Sequence, residues 1–543
     1  MLNTSSYLSR ASNFSFQSVR SLLDRCQSMF ELKRIHAVLV TVGSPEYDPC
    51  ASALLSFAAL SENGDVDYAS RVFWTISNPN IFDWNTIIRG YSKSRTPNKS
   101  LLFYVKMLRS GVAGDYLTFP FLAKASARLM SLKHGLAVHG CVVKNGFSLD
   151  MFVQNSLIHM YCSCGDVAYA RQVFDEIANR NVVSWNSMLD GYCKCKMMDL
   201  AREVFDEMPE RDVVSWSSLI DGYVKVGEHT EALALFSKMQ LSGPKANAVT
   251  MVSVLCACAH LGKLDQGRCM HRYMNENKLP FTLVLQTSLV DMYAKCGAIE
   301  EAFDVFRGAS KFGSDVLIWN AMIGGLATHG LVLESLELFT EMQAAKIKPD
   351  EITYLCLLNA CAHGGLVEEA WGFYESLKEF GAAPKCEHYA CMVDVLARAG
   401  KLNEAYHFIC EMPIEPTASM LGALLSGSIN HGRLELAETV GKKLIELDPS
   451  NDGRYVGLSN VYSIVKRWDD AKSMRQVMER KGVKKSPGCS AVEVNNIHHS
   501  FIAHDKTHPM SETIYKVLNH VIEEMKPELD TETGEYKYLS DCF

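Results

Sequence analysis

The sequence predicts an all-α protein: a right-handed α-solenoid superhelix of helix-turn-helix repeats, with a small mixed extension at its C-terminal end. Three observations carry that prediction. Val182–Asp212 and Val213–Asn247 are near-copies, opening Val182-Val183-Ser184-Trp185-Asn186 and Val213-Val214-Ser215-Trp216-Ser217, with the two tryptophans 31 residues apart. A fixed period of this size marks a repeat array. The register then holds through Ile81–Asp115, Tyr116–Asp150, Met151–Asn181, Val182–Asp212, Val213–Asn247, Ala248–Thr282, Leu283–Asp315, Val316–Asp350, Glu351–Lys385 and Cys386–Thr417, with lengths of 35, 35, 31, 31, 35, 35, 33, 35, 35 and 32. Inside each unit the apolar residues recur at steps of three and four, the spacing of amphipathic helices.

Bulk properties narrow the class. With 543 residues, 48% apolar and 21% charged, the chain is not disordered. No apolar run reaches the roughly 18 residues of a membrane-spanning helix. The formal charge of −8 argues mildly against nucleic acid, although the distribution of sign along a groove decides more than the total. The 18 cysteines are scattered with no Cys-x-x-Cys, as packed, reduced thiols of an intracellular protein are.

Residues 1–23 contain no acid but have Arg10, Arg20 and seven serines, a composition that suits an organellar transit peptide. Phe14–Tyr47 follows the spacing of an amphipathic helix pair, and Asp48–Asn80 is a repeat-like unit with Asp65-x-x-Tyr68-Ala69-x-x-Val72-Phe73 in its second helix. In the units from Ile81 onward, a first helix opens near a Trp-Asn such as Trp84-Asn85 or Trp319-Asn320. A turn follows, often with glycine (Gly165, Gly227, Gly297, Gly364-Gly365, Gly400), a residue that ends helices at low conformational cost. The second helix carries a small-x-x-apolar-Phe pattern, as in Ala170-x-x-Val173-Phe174, Ala201-x-x-Val204-Phe205, Ala232-x-x-Leu235-Phe236 and Ala302-x-x-Val305-Phe306. One such hairpin cannot cover its own apolar face, so neighbours must stack.

After Thr417 helical pairing continues without the Trp-Asn opening. Lys466–Lys485 holds eight bases and three acids. Ser490–Val494 and His499–Ala503 alternate as a short β-hairpin around Asn495-Asn496. A helix over about Ser511–Met525 precedes an acidic tail, 526–543.

These units, with openings such as Val182-Val183-Ser184-Trp185-Asn186 and closings such as Ile347-Lys348-Pro349-Asp350, resemble pentatricopeptide repeats. The mixed lengths resemble the plant subclass that alternates standard, long and short repeats, here over residues 24–417, and Glu387-His388-Tyr389-x-Cys391-Met392-Val393-Asp394 matches the opening of its last short repeat. Residues 418–490 and 491–525, with Asp505-Lys506-x-His508-Pro509, resemble the two parts of the C-terminal extension of its editing factors. The resemblance implies a non-enzymatic partner of single-stranded organellar RNA, in the mitochondrion or alternatively the chloroplast, that marks a cytidine for conversion to uridine. Deamination itself needs a zinc-binding His-x-Glu with a later Cys-x-x-Cys. The only His-x-Glu considered is His229-Thr230-Glu231, inside a repeat, so no cofactor is expected. A deaminase supplied by another polypeptide is implied, met with other editing factors through residues 418–525.

The resemblance further implies one base per repeat, read by the fifth and last residues. A short amide or hydroxyl reaches a Watson–Crick edge where a long side chain clashes. Carried onto this chain, Ser52/Asn80 implies A, Asn85/Asp115 U, Asn155/Asn181 a pyrimidine, Asn186/Asp212 U, Ser217/Asn247 A, Thr287/Asp315 G and Asn320/Asp350 U. Pro120/Asp150, Val252/Thr282, Leu355/Lys385 and Ala390/Thr417 depart from the pattern and act as spacers. Second residues such as Phe82, Phe152, Val183, Val214, Val284 and Leu317 are placed to sandwich bases. The predicted target is 5′-A-U-n-Y-U-A-n-G-U-n-n.

Plainer readings stand beside these. Asn at the fifth position can serve only to start a helix. Trp84, Trp185, Trp216 and Trp319 at helical spacing belong to the core sooner than to a stack of bases. The Ala-Cys-Ala-His runs at Cys258/His260 and Cys361/His363 are packed thiols at helix ends sooner than metal pairs, and the histidines 498, 499, 504 and 508 lack a thiol partner. Basic residues in Lys466–Lys485 line a solvated helix face, or meet RNA phosphates or a partner. An RNA stability or splicing factor, and a protein-binding scaffold of tetratricopeptide-like hairpins, are the rival functions. The scaffold needs a rigid 34-residue period and a Trp-x-x-Leu-Gly-x-x-Tyr signature, which this chain lacks.

Overall fold

The computed structural model describes residues 21–23, 25–42, 47–309, 315–379, 381, 383–485, 487–494, 497–502 and 505–525. Most of the transit-peptide segment 1–23, Asn495-Asn496, His504 and the acidic tail 526–543 lie outside them. The chain divides into two compact units, Met1–Ala257 and Cys258–Phe543, and each is a solenoid built from helical hairpins.

In the first unit, the helix Met29–Val42 precedes the hairpins Tyr47–Leu60 with Val66–Phe73, Ile81–Lys93 with Asn98–Arg109, and Thr118–Arg128 with Leu132–Lys144. Met151–Ser163 with Val167–Glu176, Val182–Lys194 with Met198–Glu207, and Val213–Lys225 with His229–Ser242 continue the stack. Of the helix pair expected over Phe14–Tyr47, the described residues show the single long helix Met29–Val42, with Leu32 and Leu39 buried. Each first helix packs on its own partner and on the first helix of the next hairpin. The second helices supply the small residues that let this happen: Ala170, Ala201 and Ala232 are completely buried.

The Phe that follows reaches forward to the next tryptophan. Phe73–Trp84, Phe174–Trp185 and Phe205–Trp216 meet edge-on at centroid distances of 4.6, 5.1 and 4.8 Å, and Phe306–Trp319 repeats this at 4.8 Å in the second unit. All four tryptophans are buried, so they are core residues that tie one hairpin to the next. Such edge-to-face pairs contribute about 0.5–1.5 kcal/mol each beyond their buried area.

Turns and helix starts follow from local chemistry. Gly165 and Gly227 end their helices at φ +81° and +88°, a conformation that Lys196 adopts at +59° in the intervening repeat. The helix of the Tyr116–Asp150 unit begins at Thr118, two residues later than its neighbours' period indicates. Thr118 N donates to Asp115 O at 3.0 Å, closing a turn ahead of the helix, and Asp115 Oδ1 accepts from the backbone N–H of Leu117 and Thr118.

In the second unit, Leu264–Glu276 is followed by Leu283–Lys295 with Ile299–Ala309, Val316–Thr328 with Val332–Ala344, Glu351–Gly364 with Val367–Glu379, and Cys386–Arg398 with Leu402–Glu411. Ala418–Asn430 with Leu434–Leu447 and Asp452–Ile464 with Trp468–Arg480 extend it. One core runs from Leu358 through Met392, Leu424 and Val440 to Val461 and Ala471, so packing crosses Thr417 without a break. Cys489–Val494 pairs antiparallel with Ile497–Ile502, in a register that places Val494 opposite Ile497. Ser511–Met525 forms the last described helix.

Candidate nucleic-acid interface

The second residue of nearly every repeat is a large apolar side chain left in solvent. Phe82, Leu117, Phe152, Val183, Val214 and Val249 form the series in the first unit, and Val284, Leu317 and Ile352 in the second. Phe82 and Phe152 expose 56% and 52% of their surface, while the tryptophan or its equivalent two positions later is buried. Exposing an apolar residue once could be incidental. Doing so at one register position in repeat after repeat makes a row in each unit.

Three residues further along the same helices stand the fifth positions. Asn85, Asn186 and Asn320 lie one turn inside their helices and do not cap them. The caps are the last residues of the preceding repeats: Asn80, Asp150, Asn181, Asp212, Asp350 and Thr417 accept backbone N–H bonds at the helix starts. This removes the helix-start reading of the fifth-position Asn and gives the last residue two uses.

In three repeats the fifth and last residues are bonded together. Asn85 Nδ2 donates to Asp115 Oδ1 at 3.0 Å, Asn186 Nδ2 to Asp212 Oδ1 at 3.1 Å, and Asn320 Nδ2 to Asp350 Oδ1 at 2.9 Å. A third residue, which the sequence reading missed, completes each pair: the third of the following repeat. Thr118 Oγ1, Ser215 Oγ and Thr353 Oγ1 each lie 2.7 Å from the Asn Oδ1 and 2.8–3.0 Å from the Asp Oδ1. A hydroxyl has one proton, and the Asn oxygen is the nearer acceptor. The sequence signal was a Ser or Thr at a constant offset, present at positions 118, 184, 215, 250 and 353 and absent at Asp83, Leu285 and Ile318.

The other pairs are arranged differently. Ser217 and Asn247 are linked through Thr250, whose Oγ1 lies 2.6 Å from Ser217 Oγ and 3.0 Å from Asn247 Oδ1. Asn155 and Asn181 are not bonded to each other. Asn181 turns its Nδ2 to Met151 Sδ at 2.9 Å and accepts from Ser184 through Oδ1, leaving Asn155 Oδ1 buried without a partner among the described residues. Thr287 Oγ1 bonds back to Leu283 O at 2.9 Å, and Asp315 is exposed with no side-chain cap bond. Ser52 is half-buried, and Asn80 is spent on capping, accepting from Phe82 N at 2.8 Å and Asp83 N at 3.2 Å. Of the spacer positions, Pro120 is buried and Leu355 half-buried.

Electrostatics keep the acceptor ionised. Burial pushes the Asp212 carboxyl up. The N–H groups of Ser215 and Val214 and the Asn186 amide outweigh it and hold the group below the ordinary aspartate value. In the second unit the same face opens into a groove of about 830 Å³ lined by Leu317, Asn320, Gly324, Ile352, Ala390 and Ser419 among others. Cys356 sits beneath it, its Sγ 3.6 Å from Asn320 O, with a thiol that burial pushes up to about 12. Cys258 and Cys361 are core thiols as expected, both fully buried. Of the histidine group, His499 Nδ1 and His508 Nε2 lie 3.0 Å apart; the side chain of His498 and all of His504 are outside the described residues.

Comparison with known proteins adds to this geometry. The family model described as PPR repeat matches residues 82–112, 155–182, 183–213, 287–314, 352–381 and 387–415, and that described as PPR repeat family matches 211–260 and 314–363. Models described as E motif and E+ motif match 431–493 and 499–525. A pentatricopeptide repeat-containing protein of Arabidopsis thaliana is 62% identical, over 92% of this chain and 93% of its own length. A second from that plant, named mitochondrial, is 37% identical over 96% and 92%; a third, named chloroplastic, is 40% identical over 92% and 90%. Among solved structures, the maize pentatricopeptide repeat protein PPR10 is similar at 17% identity and a TM-score of 0.43, covering 90% of this chain and 77% of that one. Its complex with an 18-nucleotide psaJ RNA element is similar at 16% identity and a TM-score of 0.46, covering 88% and 93%.

Proposed function

Because the chain belongs to the pentatricopeptide repeat family, we propose that its first helices hold single-stranded RNA, one nucleotide to a repeat. On this reading, binding marks a cytidine for conversion to uridine by a deaminase on another polypeptide, which docks with other editing factors through residues 418–525. The observation that supports this most directly is the row of exposed second-position side chains beside the bonded Asn–Asp pairs. The row offers apolar walls between which bases stack, and aromatic members such as Phe82 and Phe152 contribute about 1–3 kcal/mol per base.

The pairs supply the discrimination. In Asn186/Asp212 the amide oxygen and one amide hydrogen are already engaged, which leaves one N–H of Asn186 and Asp212 Oδ2. A donor beside an acceptor matches uracil, which presents a carbonyl oxygen next to N3–H, and opposes cytosine, whose N3 accepts and N4 donates. Asn85 and Asn320, only 8% and 5% exposed, are held in the same state. The target is 5′-A-U-n-Y-U-A-n-G-U-n-n, with bonded pairs behind its three uridines. The compartment is an organelle, mitochondrion or chloroplast, in keeping with names that relatives carry.

Binding of the full chain to this RNA and to a scrambled RNA of equal composition tests the proposal. Preference for the designed sequence is expected, and Asn320→Thr is expected to move the preferred base at that register from U toward G. Equal affinity for designed and scrambled RNA would sink the base-reading claim.

A further inference from the structure

We propose that Arg89, Lys93, Lys124 and Arg128 form a clamp for the phosphate backbone, and that later repeats of the same face leave the backbone almost free of charge contacts. This rests on the reading of the first-helix face as the RNA surface. The four side chains occupy the ninth and thirteenth positions of the units Ile81–Asp115 and Tyr116–Asp150, four and eight residues beyond Asn85 and Pro120. Steps of four keep a side chain on one side of a helix, so the cations lie beside the base-reading positions.

Packing gathers them. The Arg89 guanidinium lies 5.5 Å from the centre of the Phe121 ring on the next helix, and Arg128 Nη1 donates to Ser92 O at 3.0 Å. All four are exposed, and none forms an ion pair among the described residues. The three helices Ile81–Lys93, Thr118–Arg128 and Met151–Ser163 contain a single acid, Asp83, which is 1% exposed and consumed in the capping box of its own helix. Burial and the like charges of Lys93, Arg128 and Arg89 pull the Lys124 ammonium below its ordinary value. Like charges held together cost free energy until an anion joins them.

In four other repeats the same two positions pair with each other, and in three more they carry no Lys, Arg, Asp or Glu: His159/Ser163, Cys256/His260 and Asn359/His363. Asp190–Lys194 and Asp221–Lys225 are ion pairs at 2.6 Å, and in the second unit Asp291–Lys295 and Asp394–Arg398 pair at 2.9 Å. Gly324 and Thr328 carry no charge there at all. The basic run Lys466–Lys485 is partly spent within the chain: Arg467 pairs with Glu438 and Asp470, and Arg475 Nε donates to Ser459 Oγ. The clamp is therefore the place where the first-helix face holds cations without acids.

Salt dependence of binding reads this directly, because each phosphate neutralised on a single strand adds about 0.7 to the slope of log K against log salt. The full chain would be titrated with the designed RNA, its scrambled counterpart and poly(U) at several salt concentrations. The variant R89Q/K93Q/K124Q/R128Q is expected to lower the slope by about 3 on both RNAs and to keep the wild-type ratio of designed to scrambled affinity. The control D190N/K194Q/D221N/K225Q, which removes ion pairs without changing net charge, should leave the slope where it was. If the quadruple clamp variant fails to fold by circular dichroism, K93Q/K124Q should give about half the drop. A clamp variant with the wild-type slope, or a control that falls as far, overturns the clamp. A wild-type chain that binds designed and scrambled RNA alike overturns base reading while the slopes still judge the clamp, and a wild-type chain that binds no RNA overturns both.

Discussion

Asn186 has two amide hydrogens, and Asp212 takes only one of them. What holds the amide in place is Ser215, which belongs to the following repeat and is completely buried. Its hydroxyl lies 2.7 Å from Asn186 Oδ1, so the amide cannot turn over without losing two bonds. Ser215→Ala is expected to lower the preference for U at this register by about fivefold, the loss of about 1 kcal/mol of hydrogen bonding, with affinity for RNAs carrying another base there little changed. Ser215→Thr should restore the preference, since Thr118 and Thr353 hold their pairs that way. A Ser215→Ala chain that selects U as well as the wild type would remove the positioning role. The fifth and last residues were legible in the sequence because they repeat with the period. The hydroxyl was not, because it reads locally as the third residue of a helix and acts on a side chain 29 residues away. Asn155/Asn181 differs from the bonded pairs already in sequence, by Asn in place of Asp, but the turn of Asn181 toward Met151 was not legible there.

At the scale of the helix, the contact that carries the stack is an edge-on Phe–Trp pair between one hairpin's second helix and the next one's first. Phe205 is 3% exposed against Trp216, and truncating a buried Phe to Ala costs about 3–5 kcal/mol. Nearest-neighbour packing confines the damage. Phe205→Ala is therefore expected to loosen Met198–Glu207 and Val213–Lys225 in hydrogen exchange while the protection of Ile81–Lys93 stays at its wild-type level; uniform loosening would show that the hairpins do not act separately. This level of the fold was the most legible, since core tryptophans, buried alanines and turn glycines all follow from periodicity and size. The late start at Thr118 was not: a turn closed by Thr118 N on Asp115 O precedes the helix, and the period of the array does not show it.

For the whole chain, the proposed reading by repeats means that length sets the number of bases. Deleting Val182–Asp212 joins Asn181 to Val213 and puts Ser215 where Ser184 stood, so the junction keeps its hydroxyl. The shortened chain should prefer an RNA lacking the corresponding U by about tenfold over the full target, about 1.4 kcal/mol; undiminished preference for the full target would show that repeats do not count nucleotides. The array was legible from its period, whereas the division at Ala257 and Cys258 was not, since it falls inside the helix Ala248–Leu261 where the repeat runs on unchanged. The borrowed hydroxyl bears on how such a chain grows by duplication. Val182–Asp212 and Val213–Asn247 both begin Val-Val-Ser, so a tandem copy inserted at that boundary hands its predecessor the serine it needs. A mutation at the third residue then falls on the bonded pair of the older neighbour. The heritable cassette and the bonded unit are out of frame by three residues.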